Sequence, residues 1–370
     1  MLTEFLGKLF YLLNHIIPKT QNKTVFCSFP DLEDMLRGLL PHLNGRVIVL
    51  VKTPNVVRPS WLPVEVELVK KLSLVGISHL LTARYIYYTH GLLSFFRIIS
   101  SKKQLVVNLW HGMALKNIGL LDGKSNPPQC HKTICTSKFF QKIHAKAFGM
   151  KQEDVLITGL PRNDILTKQT TNAKLLTIKE NYSNCYVWLP TYRKSEEGDI
   201  RVDGDTSNIF CFESFDYFKL NKILSEKNEL LIIKPHPMAV LDVFEEKLSN
   251  IKIINEHWLT NKDTTLYELL SISDALWTDY SSVFVDYLVT NKPILFIVPD
   301  LDAYRNSRGF TFDIKQITLP GITVSTQEDF FLNIQSESYI GYCYSNQVFN
   351  SIVNFDYLKL TSPAVNDRAF

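Results

Sequence analysis

The sequence predicts an α/β protein built from two doubly wound, Rossmann-like domains facing a central cleft. Three observations predict it. Short runs rich in Val, Ile, Leu and Tyr alternate with helix-length amphipathic segments, the pattern of mainly parallel sheets flanked by helices. That alternation stops in a polar stretch around Thr167–Asn184 and then restarts, dividing the 370 residues into two domains of ordinary size. Six of the runs (QLVVNLWHG, VLITGLPRND, CYVWLPTYR, ELLIIKPHP, ALWTDYSS and PILFIVPD) end in polar clusters. Ligands of open α/β sheets bind beyond the carboxyl ends of strands, so these endings point to one shared crevice.

Residues 1–18 read as an amphipathic helix. Leu2, Phe5, Leu6, Leu9, Leu13 and Ile16 recur at helical spacing, and Pro18 closes it. Glu4, Lys8 and His15 interrupt the apolar run, which is too short and too charged for a bilayer span of about 20 mainly apolar residues. Two roles are open: lying in a membrane interface or packing on its own domain. In residues 19–166, TVFCSF, GRVIVLVK and ARYIYYTH read as buried strands, with DLEDMLRGLL a helix between the first two. QLVVNLW and KTICTS follow, then the helical SKFFQKIHAKAF with Ser137 as N-cap, and VLITGL ends the half.

The second domain, residues 167–330, runs CYVWLP, a helix near Glu213–Glu226, LLIIKP, a helix near Val240–Leu248, and IKIINE. A helix near Thr264–Ile272, ALWTDY, a helix from about Ser282 and PILFIV complete it. Gly198–Asn208 is polar and turn-rich, which predicts a mobile loop near the cleft. A helix near Gln327–Ile334 leads into a tail over residues 331–370 that is aromatic and less regular.

Composition narrows the function. A chain with 45% hydrophobic and 12% aromatic residues has real cores and is not disordered. The six cysteines are scattered without a CxxC, and no secretory signal stands out, so reduced thiols in a cytosolic compartment are expected. Cys130, His131 and Cys135 fit no familiar zinc spacing, and neither a metal nor a cofactor is expected. Residues 1–160 hold 20 Lys+Arg against 9 Asp+Glu, a balance of +11, whereas residues 161–370 hold 20 against 28, a balance of −8. A basic first half suits an anionic membrane surface or a phosphate-bearing acceptor. Nucleic acid is disfavoured because no arginine-rich tract or binding motif accompanies the charge.

The strand ends supply the chemistry of an anionic diphosphate site. In ALWTDYSSVFVDYL, Asp279 reaches the crevice, and Ser281 and Ser282 stand at a helix start whose N–H groups and dipole favour phosphate; helix capping is the plainer role for Asp279 or Ser281. KPHP puts Lys234, a point charge for phosphate, beside His236, a donor to a leaving oxygen, with prolines stiffening the turn. LWHGMALK puts His111 after a strand, where an imidazole can serve as general base. Gly112 permits close backbone approach, and Lys116 lies one turn on if a helix starts there. GLPRND adds Arg162, Asn163 and Asp164, which also suit a plain loop-holding role. Arg193 in PTYR and Arg308 in NSRGF offer forked donors for paired phosphate oxygens. No GxGxxG, P-loop, HExxH, GxSxG or DxD stands in its usual context.

LWHGMALKNIG, TGLPRND, PTYR, KPHP, TDYSSVFVDYLVTNKPILF, VPDLDAY and RGFTFD occur here in the order seen in the CDP-glycerol glycerophosphotransferases, the teichoic-acid and capsule polymerases and primases, which the chain resembles from about Gln104 to Val324. Residues 1–100 carry little of that resemblance. It implies a GT-B fold, with an acceptor-side first domain and a nucleotide-donor second domain. It also implies transfer of glycerol phosphate from CDP-glycerol to a hydroxyl of a lipid-linked or polyol-phosphate acceptor, releasing CMP, at the cytoplasmic face of the membrane. The family's catalytic pair falls on His111 and His236. Its donor-phosphate residues fall on Asp279, Ser281, Ser282 and Arg308, and Arg193 is carried over on PTYR alone. The chain has Met113 where the family commonly has Thr, removing a hydroxyl near the proposed base, and Tyr192 where Trp is frequent. CDP-ribitol, a nucleotide sugar such as CMP-sialic acid on the same fold, and a non-catalytic membrane-peripheral scaffold are the competing readings.

Overall fold

The computed structural model describes residues 2–123, 126–191, 209–212, 214–235, 248–313, 319–340 and 348–361. The chain divides into two compact units: Met1–Met113 with Ile118–Ile165 and Ser351–Phe370, and Ala114–Asn117 with Leu166–Asn350.

The first unit runs α1 (Leu2–Ile16), β1 (Thr20–Cys27), α2 (Asp34–Leu39), β2 (Arg46–Val51), β3 (Glu67–Lys70), α3 (Leu74–Thr82), β4 (Ala83–Tyr88), β5 (Leu105–Asn108), β6 (Lys132–Cys135), α4 (Lys138–Phe148) and β7 (Val155–Ile157), with α5 (Asn163–Leu166) at its boundary. The strands pair in parallel in the order β3-β2-β1-β4-β5-β6-β7. Strand order reverses between β1 and β4, which makes their carboxyl ends the topological switch point. Val25, Ile48, Ile86 and Val106 are fully buried in the core cluster under this sheet, each contributing about 1.5–3 kcal/mol by leaving water. The predicted N-cap holds: the Ser137 hydroxyl accepts the Phe140 N–H at the start of α4, and Gly149 ends the helix in the left-handed region.

Packing on its own domain, one of the two roles open to the N-terminal helix, is what α1 shows. One face of α1 is anchored, with Phe10 between Phe95 and Phe96 and the buried Asn14 amide donating to Gln104 at 2.9 Å. The other face leaves Phe5, Leu9, Leu12, Leu13 and Ile16 exposed.

The second unit runs α6 (Ala173–Asn181), β8 (Asn184–Leu189), α7 (Tyr217–Glu226), β9 (Glu229–Ile233), β10 (Ile251–Ile253), α8 (Glu256–Asn261), α9 (Leu266–Ile272), β11 (Ala275–Thr278), α10 (Val283–Tyr287), β12 (Ile294–Ile297), α11 (Leu301–Arg308), β13 (Ile322–Val324) and α12 (Gln327–Ser336). Its sheet is again parallel, in the order β10-β9-β8-β11-β12-β13, with the switch between β8 and β11. An aromatic layer fills its core: Trp188 lies flat on Phe210 at 5.3 Å, and Trp277 meets Phe330 edge-on at 5.6 Å.

Several elements depart from the sequence reading. β3 and α3 form where no element was expected, and β5 stops at Asn108, leaving Trp110 beyond the strand. No helix follows His111; residues 113–117 are irregular, so Lys116 is not one helical turn from the histidine. Residues 351–361 are as irregular as expected but are tied to the first unit: Ser351 N–H donates to Thr136, Phe355 N–H donates to Asp164 at 2.8 Å, and the short α13 (Leu358–Thr361) follows. Gly198–Asn208 and nearly all of the helix expected near Val240–Leu248 lie outside the described residues.

Candidate functional site

In the first unit the site is built at the carboxyl ends of β1, β4 and β5. After β5, Asn108 turns the chain by accepting the Trp110 N–H at 2.9 Å. Trp110 adopts φ 56 and Gly112 φ 140, a left-handed Trp being a costly conformation held by its surroundings. The turn delivers His111 to the surface. Its Nδ1 lies 3.5 Å from the Thr89 carbonyl, at the end of β4. In the tautomer that donates there, Nε2 is the basic nitrogen.

A second imidazole supports it. The His90 ring stacks on His111 with centroids 4.1 Å apart and planes within 11°, and the Thr89 hydroxyl sits 3.0 Å from His90 Nδ1. Although His90 keeps solvent exposure, the crowding of its ring lowers its pKa, and the Arg162 and Lys71 cations act in the same direction. Beneath lies Glu33, the N-cap of α2. Its Oε1 is sealed from solvent and has no hydrogen-bond partner among the described residues. Burial pushes this carboxyl up to about 8, helped by Asp34 and opposed by Arg162 and by hydrogen bonds from Met35 and Thr89. Near neutrality the site therefore holds a protonated carboxyl and an uncharged imidazole beside His111.

Arg162 ties the turn down by donating to the His111 carbonyl at 3.2 Å. The GLPRN turn can lie on α2 because Gly38 has no side chain: a Cβ there would stand 2.1 Å from the Pro161 carbonyl oxygen. Asn163 is 1% exposed, and neither of its amide atoms has a hydrogen-bond partner among the described residues. Asp164 serves the scaffold, accepting Phe355 N–H and lying 3.6 Å from His42 Nε2. Gly112 and Met113 are buried. Three residues past His111 the chain joins the second unit, where Thr311 of the RGFTFD motif donates its N–H to the Leu115 carbonyl at 2.8 Å and its hydroxyl to Ala114 at 2.6 Å.

In the second unit the polar residues again follow strand ends. Asp279, after β11, is 3% exposed and accepts the Thr191 N–H (2.9 and 3.0 Å) and hydroxyl (2.8 Å) across the switch point from β8. Its carboxylate thus holds Thr191 of the PTYR motif. Lys234, after β9, is buried with its ammonium 2.7 Å from Glu256 at the start of α8. Ser281 and Ser282 are half-buried at the start of α10, and the Ser282 hydroxyl makes no capping bond. Tyr280 donates to Asp300 at 3.0 Å and stacks on Tyr304. Arg308 ends α11; its side chain, Arg193, Tyr192 and His236 lie outside the described residues.

Sequence reasoning missed Glu33, Thr89, His90, Thr191 and Thr311. The YTH ending of the β4 run carried the same signal as the other strand ends.

The family model for CDP-Glycerol:Poly(glycerophosphate) glycerophosphotransferase matches residues 9–356. The chain is 29% identical over 261 residues to the teichoic acid poly(ribitol-phosphate) polymerase of Bacillus spizizenii, covering 63% of this chain and 38% of that protein. It is 23% identical over 363 residues to the teichoic acid glycerol-phosphate primase of Bacillus subtilis, covering 90% and 87%. Among solved structures, the wall teichoic acid polymerase TagF superposes with a TM-score of 0.72 at 21% identity, covering 95% of this chain and 90% of that one. That likeness establishes a GT-B-like fold.

Proposed function

The chain belongs to the CDP-glycerol:poly(glycerophosphate) glycerophosphotransferase family, and from that premise we propose that it transfers glycerol phosphate from CDP-glycerol to a hydroxyl of a lipid-linked glycan or polyol-phosphate acceptor, releasing CMP, in teichoic-acid-type polymer synthesis. The observation that supports the reading is His111 just past β5 with Nδ1 3.5 Å from the Thr89 carbonyl, which leaves Nε2 as the base in the tautomer that donates there.

His111 Nε2 takes the proton of the acceptor hydroxyl as that oxygen attacks the phosphorus bearing glycerol. The new P–O bond forms as the pyrophosphate P–O bond breaks, and CMP leaves with a proton or hydrogen bond supplied by His236. Lys234, Ser281, Ser282, Arg193 and Arg308 hold the donor phosphates and spread the developing charge. Asp279 acts at one remove: it fixes Thr191, two residues before Arg193 in the sequence. The similarity to a ribitol-phosphate polymerase favours CDP-ribitol as the second donor to try.

Placement at the inner membrane face is part of the same proposal. The exposed apolar stripe of α1 and the basic first 160 residues support binding to an anionic bilayer surface. No helix among the described residues is long and apolar enough to cross a membrane. Flotation with anionic liposomes should be salt-sensitive and lost on deleting residues 1–18; unchanged flotation refutes the helix as anchor. For the chemistry, incubation with CDP-glycerol, CDP-ribitol or CMP-sialic acid and a phosphate-linked acceptor should release CMP with one of the first two. Release from CMP-sialic acid alone would overturn the polyol-phosphate reading.

A further inference from the structure

Two cavities in the first unit meet at the same three residues. One, of about 420 Å³, is lined by Glu4, Gly7, Lys8 and Tyr11 of α1 together with Arg97, Ile98 and Gln129. The other, of about 730 Å³, shares Arg97, Ile98 and Gln129 and extends to His90 and Tyr88. His90 is the ring on which His111 stacks. The two cavities adjoin at these residues, so together they mark out a trough between the N-terminal helix and His90, on a scale suited to a small-molecule site.

The helix presents three distinct faces to its surroundings. At roughly 100° per residue, Glu4, Gly7, Lys8 and Tyr11 fall on one side of α1. That side lies between the buried face of Phe10 and Asn14 and the exposed apolar stripe from Phe5 to Ile16. The trough thus begins beside the most apolar exposed surface of the helix. Its midpoint is cationic. Arg97 donates from one terminal nitrogen to the Ser94 and Phe96 carbonyls at 2.9 and 2.8 Å, and no carboxylate among the described residues pairs with it. Gly7 makes room: a Cβ there would stand 3.1 Å from the Arg97 guanidinium carbon. Beyond Arg97 the lining mixes polar Ser94 and Asn126 with apolar Leu92, Phe96 and Pro127, surfaces that suit the edges and faces of a polar headgroup.

We infer that this trough is the acceptor site: it binds an elongated anionic amphiphile, with the apolar tail toward the α1 stripe, a phosphate on Arg97, and the headgroup hydroxyl carried toward His111. The assignment rests on the transfer reading above and adds to it where the acceptor lies and which residue reads its charge. Arg97 binds substrate and takes no part in proton transfer.

The test uses the whole chain and two acceptors, a lipid-phosphate-linked saccharide and the same saccharide as a neutral glycoside. Arg97→Gln should raise KM for the phosphate-bearing acceptor about tenfold, the loss expected for one charge-assisted contact. It should leave kcat, donor KM and the KM for the neutral glycoside within twofold. Ser94→Trp, a change at an exposed lining position, should block transfer to the lipid-linked acceptor while donor hydrolysis without acceptor persists, which also shows that the variant is folded. Equal effects on both acceptors, or none, would overturn the assignment. Monomeric dodecyl phosphate should bind wild type, measured calorimetrically, and bind Arg97→Gln at least tenfold more weakly; binding of inorganic phosphate with the same Arg97 dependence would identify a free-anion site instead. Calorimetry needs no turnover, so it still judges the trough if no CDP-polyol is ever consumed.

Discussion

The polar edges of the two sheets occupy equivalent places, past the carboxyl ends of strands at a switch point, yet they handle charge in opposite ways. In the second unit the charges are tied up: Lys234 to Glu256, Asp279 to Thr191, Asp300 to Tyr280. In the first, two titratable groups flanking Thr89 are held uncharged beside the Arg162 guanidinium, the Glu33 carboxyl pushed up to about 8 and the His90 pKa lowered. Fixed charge and aligned donors suit holding an anion whose charge hardly changes. A neutral stacked imidazole suits a base that must gain and lose a proton, because it adds no fixed charge of its own beside the ring.

The largest effect that tests this contrast is at His111. His111→Ala should lower CMP release by about 10²–10⁴-fold, the usual loss of a general base, with unchanged circular dichroism and donor binding. A folded variant with wild-type turnover removes the base from the first unit and with it the distinction.

Next comes pH. Below its ordinary value of 4.5 Glu33 is protonated in both folded and unfolded chains, but between 4.5 and about 8 only the unfolded chain ionises it. The unfolded state then binds fewer protons, so this group makes stability fall as pH rises through that window, by as much as several kcal/mol. Glu33→Gln should abolish that slope; urea midpoints at pH 5, 7 and 9 that run parallel in variant and wild type would show that the carboxyl is not held neutral.

In the second unit, Asp279→Ala should cost about 1–3 kcal/mol by stranding the half-buried Thr191 donors, and should raise donor KM through the freed Thr191. Stability loss without a KM change would make Asp279 a scaffold residue only. The smallest effect belongs to Glu256, which is 52% exposed against 7% for Lys234. Glu256→Gln should shift unfolding by no more than about 1 kcal/mol, while donor KM falls if Lys234 exchanges that carboxylate for phosphate. A rise in donor KM would mean that Glu256 orients the lysine.

Much of this organisation is written in local pattern. Strands such as IVLV in β2 and LLII in β9 are buried on both faces, and parallel sheets make such strands continuous apolar runs. β3 escaped notice because ELVK is a half-exposed edge strand with no apolar run to mark it. The strand-end rule singled out Lys234 and Asp279 because each follows an apolar strand directly, and His111 because it lies three residues past one. Glu33 eludes it because it sits six residues past β1 and is defined by burial against Arg162 and Thr89, partners distant in sequence. His90 reads as a polar strand ending until its ring meets one 21 residues away. The Asp279 carboxylate was expected near phosphate; its three contacts with Thr191 depend on adjacent strands β8 and β11, 85 residues apart, which spacing does not encode.

The return of the last segment to the first unit bears on how the protein can be dissected. A fragment stopped at Ile165 would lack the amide of Phe355 that Asp164 accepts and the amide of Ser351 that donates to Thr136, and would lack α13 as well. Neither lobe is a contiguous stretch, so a single cut at the apparent midpoint yields two incomplete bodies. A circular permutant that joins residue 370 to residue 1, or co-expression of both pieces, is the arrangement that keeps each lobe whole.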